Sequence, residues 1–151
     1  MNNIQTESPK ERLSPLEKEI ASGKPTVTVT VGDSMEPLLY NRSTRVVIVK
    51  ADRELKRNEL PMYKRPTGQF VMHRIIKTDR DYYYTRGDNR TGLEQVPKQW
   101  VQGVVTEIYR KEKHFTADNR WYRGYVTVWN LIYPIRWFVY KFRGRMKGMM
   151  R

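Results

Sequence analysis

Threonine and valine alternate along the first hydrophobic run of this chain. Thr26 to Val31 reads Thr-Val-Thr-Val-Thr-Val, which is the two-residue period of a strand with one buried face. Four further strand-like runs are Arg45 to Lys50, Phe70 to Lys77, Asp81 to Thr85, and Val101 to Arg110. Turn sequences such as Pro66-Thr67-Gly68 and Gly87-Asp88-Asn89 separate them. The pattern predicts a mainly β fold, with a small antiparallel β domain over residues 25–113.

Polar residues dominate the chain before Pro25. We interpret residues 1–24 as a polar lead-in with one short helix from Ser14 to Ala21, in which Ser14 is the N-cap and Pro15 the first helical residue. The segment lacks the long apolar run of a signal peptide or an N-terminal membrane anchor. We therefore expect no membrane span there.

The hydrophobic spacing becomes helical in residues 114–151. Aromatic rings recur at every fourth position, at Trp121, Tyr125, Trp129, Tyr133 and Trp137. This spacing predicts an amphipathic C-terminal helix with the rings along one side. Asn130, Pro134 and Arg136 interrupt the apolar stretch, which favours a helix lying at a membrane surface. Packing onto the protein or a partner, and a full membrane span, remain as alternatives.

The charge balance also bears on the partner. The 151 residues include 29 Lys and Arg against 16 Asp and Glu, a formal charge of +13. Basic residues beside aromatic rings in the last segment suit an anionic membrane interface. We expect a membrane-associated protein, with a cytoplasmic one as the alternative. A nucleic-acid-binding module is permitted by the charge but is not favoured.

The residue types present limit the possible chemistry. The sequence has no cysteine and two histidines. A disulfide framework, a thiol nucleophile and a thiolate zinc site are therefore excluded, and a histidine-built metal site is not favoured. We expect neither a metal nor a cofactor, so that any reaction uses hydroxyl, imidazole, carboxylate or amine groups.

A serine follows the alternating strand directly, in Gly32-Asp33-Ser34-Met35-Glu36-Pro37. The chain must turn there, which exposes the Ser34 hydroxyl. A serine becomes a good nucleophile when a neighbouring base accepts its proton, and the imidazole of His73 can do so near neutral pH. A carboxylate on the far side of His73 would fix its tautomer.

Four short sequence boxes resemble those of signal peptidases, in the family's order. Gly32 to Pro37 is similar to the nucleophile box shared with self-cleaving repressor peptidases, and Val71 to Ile76 to the His-Arg box of the endoplasmic-reticulum and archaeal type. Tyr84 to Arg90 resembles the Gly-Asp-Asn box, and Val101 to Val105 the closing strand. The resemblance implies the β fold of that superfamily and a serine endopeptidase that cleaves signal or leader peptides. Ser34 would be its nucleophile and His73 its general base.

The resemblance leaves two candidates for the carboxylate. Asp88 matches the aspartate of the Gly-Asp-Asn box, and Glu94 falls where the endoplasmic-reticulum type has a second acidic residue. Asp88 has a structural alternative, because an Asp before Asn in a tight turn readily bonds its own backbone. The Ser34 backbone N–H is the expected oxyanion donor, since Gly32 occupies the position of the bacterial family's hydroxyl donor.

The resemblance also implies how a peptide or pre-protein substrate binds. It would add as a strand along Val27 to Val31 and Gln69 to Met72, with small side chains next to the scissile bond. Two alternatives stay open: a self-cleaving repressor-type peptidase and a non-catalytic binding module on the same fold. The repressor type uses lysine as its base, and no Ala-Gly or Cys-Gly bond precedes Ser34.

Overall fold

The computed structural model describes residues 13–149, with side chains as far as Arg145. The strands are β1 (Thr26–Val29), β2 (Thr44–Lys50), β3 (Pro61–Lys64), β4 (Phe70–Met72), β5 (Arg74–Thr78), β6 (Tyr82–Arg86), β7 (Glu94–Pro97), β8 (Val101–Arg110) and β9 (Lys113–Thr116). The helices are α1 (Pro15–Ala21), α2 (Arg120–Leu131) and α3 (Tyr133–Met149). The fold is mainly β with antiparallel sheets, as the sequence predicts.

The strands form two antiparallel sheets. The larger has the order β1-β2-β8-β3-β4, with β9 also paired to β8, and the smaller has the order β5-β6-β7. Ile20, Val46, Ile48 and Ile108 belong to the core of the larger sheet, whereas Tyr63 belongs to the cluster shared with the smaller one. Strands β1 and β4 end the pairing order of the larger sheet and are therefore its free edges.

The predicted strand from Phe70 to Lys77 is two strands, which corrects the sequence-based assignment. Strand β4 pairs with β3 in the larger sheet and β5 pairs with β6 in the smaller. The chain leaves one sheet and enters the other at His73. A continuous run of strand-forming residues does not reveal such a crossing, because both halves of the run are typical of a strand, whichever sheet each one joins.

Three short strands were not predicted from the sequence: β3, β7 and β9. Each has four residues, and prolines or charged residues break up their alternation. The start of the chain agrees better with prediction. Ser14 caps α1 by accepting the Glu17 N–H, and the Glu17 carboxylate accepts the Ser14 N–H at 2.7 Å.

The hydrophobic core crosses both domain boundaries predicted from the sequence, at residues 25 and 113. Ile20 from α1 and both Tyr122 and Val126 from α2 are at most 9% exposed and pack in the core of the larger sheet. Strand β9 itself spans the second boundary. The lead-in and the C-terminal segment are therefore partly core, because short amphipathic helices gain stability by burying one face.

The predicted C-terminal helix is interrupted at Ile132, where α2 ends. Pro134 has no N–H to donate to the Asn130 carbonyl, which accounts for the break. Nevertheless the Ile132 N–H bonds the Val128 carbonyl and the Arg136 N–H bonds the Ile132 carbonyl, each at 3.0 Å. The second helix therefore follows the first with one residue between them. Among the helices described, none is long and apolar enough to cross a membrane.

The five aromatic rings do not lie along one side, which corrects a second prediction. Trp121 is 85% exposed, whereas the Trp129 indole N–H donates to the Asp88 carbonyl at 3.1 Å and the Tyr133 hydroxyl to the Thr91 carbonyl at 2.7 Å. Steps of four residues exceed one 3.6-residue turn, so that each ring is rotated by about 40° from the last. The row of rings therefore winds from the solvent towards the β body.

Candidate active site

Ser34 lies in the turn that follows β1. Gly32 has a φ of +94°, a backbone conformation that favours glycine, and its N–H donates to the Asn41 side chain at 3.0 Å. Met35 is buried in the core of the larger sheet directly after the serine. The glycine turns the chain and the methionine anchors it, so that Ser34 between them lines an open cleft.

The Ser34 hydroxyl faces the imidazole of His73. Its Oγ is 3.1 Å from His73 Nε2, and the two residues are 39 positions apart in the chain. Burial lowers the pKa of His73 to about 4, despite the opposing attraction of the Glu94 carboxylate. The imidazole is therefore neutral near pH 7, and the geometry allows Nε2 to accept the proton of the serine hydroxyl.

Tyr63 and Glu94 lie on the other side of His73. The Tyr63 hydroxyl is 3.3 Å from His73 Nδ1 and donates to the Glu94 carboxylate at 2.6 Å. The shortest distance from His73 Nδ1 to that carboxylate is 3.7 Å, which is too long for a direct hydrogen bond. Because the Tyr63 hydroxyl donates its hydrogen bond to Glu94, its oxygen is placed to accept a hydrogen bond from the Nδ1–H of His73. This arrangement leaves Nε2 as the acceptor towards Ser34.

Arg65 holds Glu94 in its charged form. Its guanidinium donates two hydrogen bonds to the Glu94 carboxylate, at 2.8 and 2.7 Å. These bonds are the main reason that the pKa of Glu94 is lowered, and the bond from Tyr63 adds to them. Burial, followed by the bond to Glu94, raises the pKa of Tyr63. The pair therefore consists of a carboxylate and a neutral phenol at neutral pH.

Asp88, the other candidate carboxylate, is directed away from His73. It receives two hydrogen bonds from the Arg74 guanidinium, at 2.8 and 2.7 Å, and both side chains are almost completely buried. Arg74 Nη1 also donates to the Tyr122 hydroxyl at 3.1 Å and to the Asn58 carbonyl at 3.0 Å. Of the two sequence candidates, the structure thus brings Glu94 and not Asp88 towards the imidazole.

The turn that contains Asp88 also fixes the backbone of Ser34. The Asn89 N–H donates to the Ser34 carbonyl at 2.8 Å, and the Asn89 side-chain amide donates to the Asp33 carbonyl at 3.2 Å. A Cβ on Gly87 would lie 2.5 Å from the Ser34 carbonyl oxygen, so that only glycine allows this close approach. The Gly-Asp-Asn box therefore positions the serine.

A cleft of about 420 Å³ runs past the Ser34 and His73 side chains, between the two free edges of the larger sheet. One wall is the chain from Thr28 to Ser34 and the other is Gln69 to His73, while Leu16, Leu39 and Met62 supply apolar lining. The Thr30 N–H donates to Thr44 and its carbonyl accepts from Arg42. Because backbone direction alternates along a strand, the N–H and C=O groups of Val29 and Val31 point away from β2.

The Ser34 N–H is a free donor beside the Ser34 hydroxyl. Among the hydrogen bonds of residues 13–149 it has no acceptor. A backbone N–H without an acceptor is able to donate a hydrogen bond to the oxyanion that forms when a hydroxyl attacks a carbonyl group.

Sequence reasoning missed Tyr63 and Arg65. Tyr63 lies in β3 and Arg65 directly after it. The four residues of this strand do not alternate clearly between apolar and polar, and no motif marks the tyrosine. The sequence around Tyr63, Pro61-Met62-Tyr63-Lys64-Arg65, therefore offered no clear signal.

A scan against protein-family models finds no match to this chain. A search of curated proteins finds no significant match either.

Proposed function

We propose that this protein is a serine endopeptidase in which Ser34 is the nucleophile and His73 the general base. The observation that carries the proposal is the 3.1 Å contact between Ser34 Oγ and His73 Nε2 in an open cleft. The presence of a free N–H at the serine and of a carboxylate beyond the imidazole supports it. More specifically, we propose an enzyme that cleaves signal or leader peptides, on a β domain of the signal peptidase and repressor peptidase type.

The first half of the reaction forms an acyl-enzyme. Ser34 Oγ attacks the scissile carbonyl while His73 Nε2 takes the hydroxyl proton, and the Ser34 N–H donates to the oxyanion that develops. Glu94 stabilises the imidazolium, with Tyr63 as the bridge between them. The intermediate collapses when the C–N bond breaks and His73 gives its proton to the departing amine.

The second half releases the new carboxyl terminus. A water molecule enters, His73 accepts one of its protons, and the resulting hydroxide equivalent attacks the ester carbonyl. The C–O bond to Ser34 then breaks and the proton returns to the serine oxygen. Because the imidazole starts and ends neutral, its low pKa is compatible with turnover near pH 7.

The substrate is proposed to bind as an added strand in the cleft. Val29 and Val31 offer outward N–H and C=O groups on one side, and β4 is the free edge on the other. An extended peptide is able to satisfy both, with alternate side chains directed at the apolar lining. Ser34 and His73 both line this path. Leu16 and Met62 are among the residues that contact the buried substrate side chains.

The test compares the parent protein with Ser34→Ala, His73→Ala and the control Ser43→Ala, a serine exposed outside the cleft. Each is incubated with a peptide library, and cleavage is read by mass spectrometry. We expect cleavage by the parent and the control, and a loss of at least about a thousandfold in both active-site variants. Equal cleavage by all four proteins, or none by a correctly folded parent, would overturn the proposal.

A further inference from the structure

A second row of large apolar side chains runs along the outer face of α2 and α3. We call it the outer stripe; its members are Trp121, Val128, Leu131, Ile135, Phe138 and Phe142, each between 55% and 85% exposed. Apart from the first step, they are spaced three or four residues apart, which places them on one helical face. Isolated exposed apolar residues are common on proteins, but a continuous row of this kind marks an interaction surface.

The opposite face of the same helices is already occupied. Tyr122 and Val126 pack into the core, and the Tyr140 hydroxyl donates to the Asn89 side chain at 3.0 Å. Arg136 stacks on Trp129 and donates to the Asp88 carbonyl. Because one face of the helices packs against the β sheets, the outer stripe faces the solvent. Any partner of the stripe must therefore be another molecule or surface.

The charge around the outer stripe indicates which partner fits. From Asn119 to Arg151 the sequence has eight Lys and Arg and no Asp or Glu. Arg120, Arg123, Lys141, Arg143 and Arg145 are exposed on α2 and α3 outside the stripe. A second copy of this chain would bring two such basic segments together, which opposes self-association. An anionic bilayer satisfies both features, because its headgroups pair with the cations while the acyl region takes up the rings.

We infer that the protein docks on anionic membranes through the outer stripe, with α2 and α3 lying in the plane of the interface. The inference goes beyond the proposed peptidase activity and does not depend on it. It also differs from the sequence-based expectation, because Tyr125, Trp129 and Tyr133 contact the β body and the contacting residues are those of the outer stripe. The Asp88–Asn89 turn contacts both these helices and the backbone of Ser34.

The experiment is co-sedimentation with vesicles of phosphatidylcholine alone and of phosphatidylcholine containing about one third phosphatidylglycerol. We compare the parent with Ile135→Asp and Phe138→Asp in the outer stripe. The matched control is Thr127→Asp, which adds the same charge to α2 at an exposed position of the mainly polar cleft that Arg57 and Glu59 also line. Because all three positions are exposed, circular dichroism and thermal unfolding should remain unchanged, which separates binding from folding.

We expect the parent to bind anionic vesicles and to release them at high salt, and each stripe variant to bind at least about tenfold more weakly than the control. Brominated lipid should quench tryptophan fluorescence less in Trp121→Phe than in Trp100→Phe. Binding of Ser34→Ala should equal that of the parent. If the parent does not bind anionic vesicles, or binds them no better than the stripe variants do, the inference of membrane docking is wrong. A dimer that the same variants convert to monomer, without lipid binding, would instead assign the stripe to a second copy.

Discussion

Tyr63 fills the gap between the imidazole of His73 and the carboxylate of Glu94. It is fully buried, and its ring packs with Ile75 and Tyr83 in the second core cluster, so that its hydroxyl has little freedom to move. The direct path from His73 Nδ1 to Glu94 is 3.7 Å, whereas both steps through the hydroxyl are shorter. The charge of Glu94 therefore reaches His73 largely through a polarised hydrogen bond.

The first prediction concerns this bridge. Tyr63→Phe keeps the ring and removes the hydroxyl, so that kcat should fall about tenfold to a hundredfold while KM changes little. Since Tyr63 and Glu94 act as one unit, Tyr63→Phe combined with Glu94→Gln should cost little more than Glu94→Gln alone. Steady-state kinetics of the four proteins in this cycle checks it. If the fold-losses in kcat of the two single variants multiply in the double variant, Glu94 acts on His73 without the tyrosine.

The second prediction concerns pH. Because burial lowers the pKa of His73 to about 4, kcat/KM should rise with pH through a midpoint near that value and reach a plateau well below pH 6.5. Glu94 opposes this shift by favouring the imidazolium. Glu94→Gln should therefore move the midpoint to lower pH, as well as lowering the plateau. A midpoint near 6.5 in the parent would indicate an imidazole that is solvated in the working enzyme.

Folding must be followed in the same pH series. The folded-state pKa of His73 lies below its unfolded value, so that the folded protein binds fewer protons and loses stability as the pH falls through about 6.5. Circular dichroism at each pH separates a loss of folded protein from protonation of the base.

At the scale of elements, the important feature is the start of β5. His73 and Arg74 are neighbours whose side chains point to opposite sides, one into the cleft and the other into the core. Burial acts to lower the pKa of Arg74, but the hydrogen bonds and charge of Asp88 outweigh it, and the pKa is raised. The Arg74–Asp88 pair links β5 to the turn that holds Ser34. It thereby fixes both halves of the Ser34–His73 contact.

The third prediction follows from that pair. Arg74→Met keeps much of the buried volume but leaves the Asp88 carboxylate without its cation, which should lower the free energy of unfolding by about 3–5 kcal/mol. The matched control is Arg45→Met on β2, an exposed position, with an expected change within about 0.5 kcal/mol. Urea denaturation gives both values. Similar losses for the two variants would mean that Asp88 is relieved by protonation or water.

The elements also explain how far sequence reasoning reached. Strand β1 was predictable because threonine and valine alternate along it, and β2 and β8 because each is a run rich in β-branched residues. Ser34 and His73 were predictable because they lie in recognisable boxes. Strand β3 shows neither pattern, so that Tyr63 and Arg65 were not foreseen. The choice between Asp88 and Glu94 was open for a different reason. It depends on which carboxylate forms the ion pair with Arg74 in the folded protein, and the spacing of residues in the sequence does not show this.

At the scale of the whole molecule, the β sheets do not form the hydrophobic core alone. Helix α1 contributes Ile20, and α2 contributes Tyr122 and Val126, to the core of the larger sheet. An ion pair between the partly exposed Lys64 and the buried Glu17, at 3.0 Å, also links α1 to β3. Full burial of a large apolar side chain contributes about 1.5–3 kcal/mol. Three such residues together are comparable with the net stability of a typical domain, about 5–15 kcal/mol.

The last prediction tests this dependence with two fragments. Residues 25–113 contain the sequence boxes but lack Ile20, Tyr122 and Val126, and they cut β9 after its first residue. Residues 13–132 keep all of these and omit α3. We expect a cooperative urea transition, with near-ultraviolet circular dichroism like that of the full chain, from residues 13–132 only. Because α3 contacts the β body through half-buried side chains, its removal should reduce stability without abolishing the fold. A sharp transition from residues 25–113 would show that the sheets form a sufficient core, and that both flanking helices are attachments to a self-contained β domain.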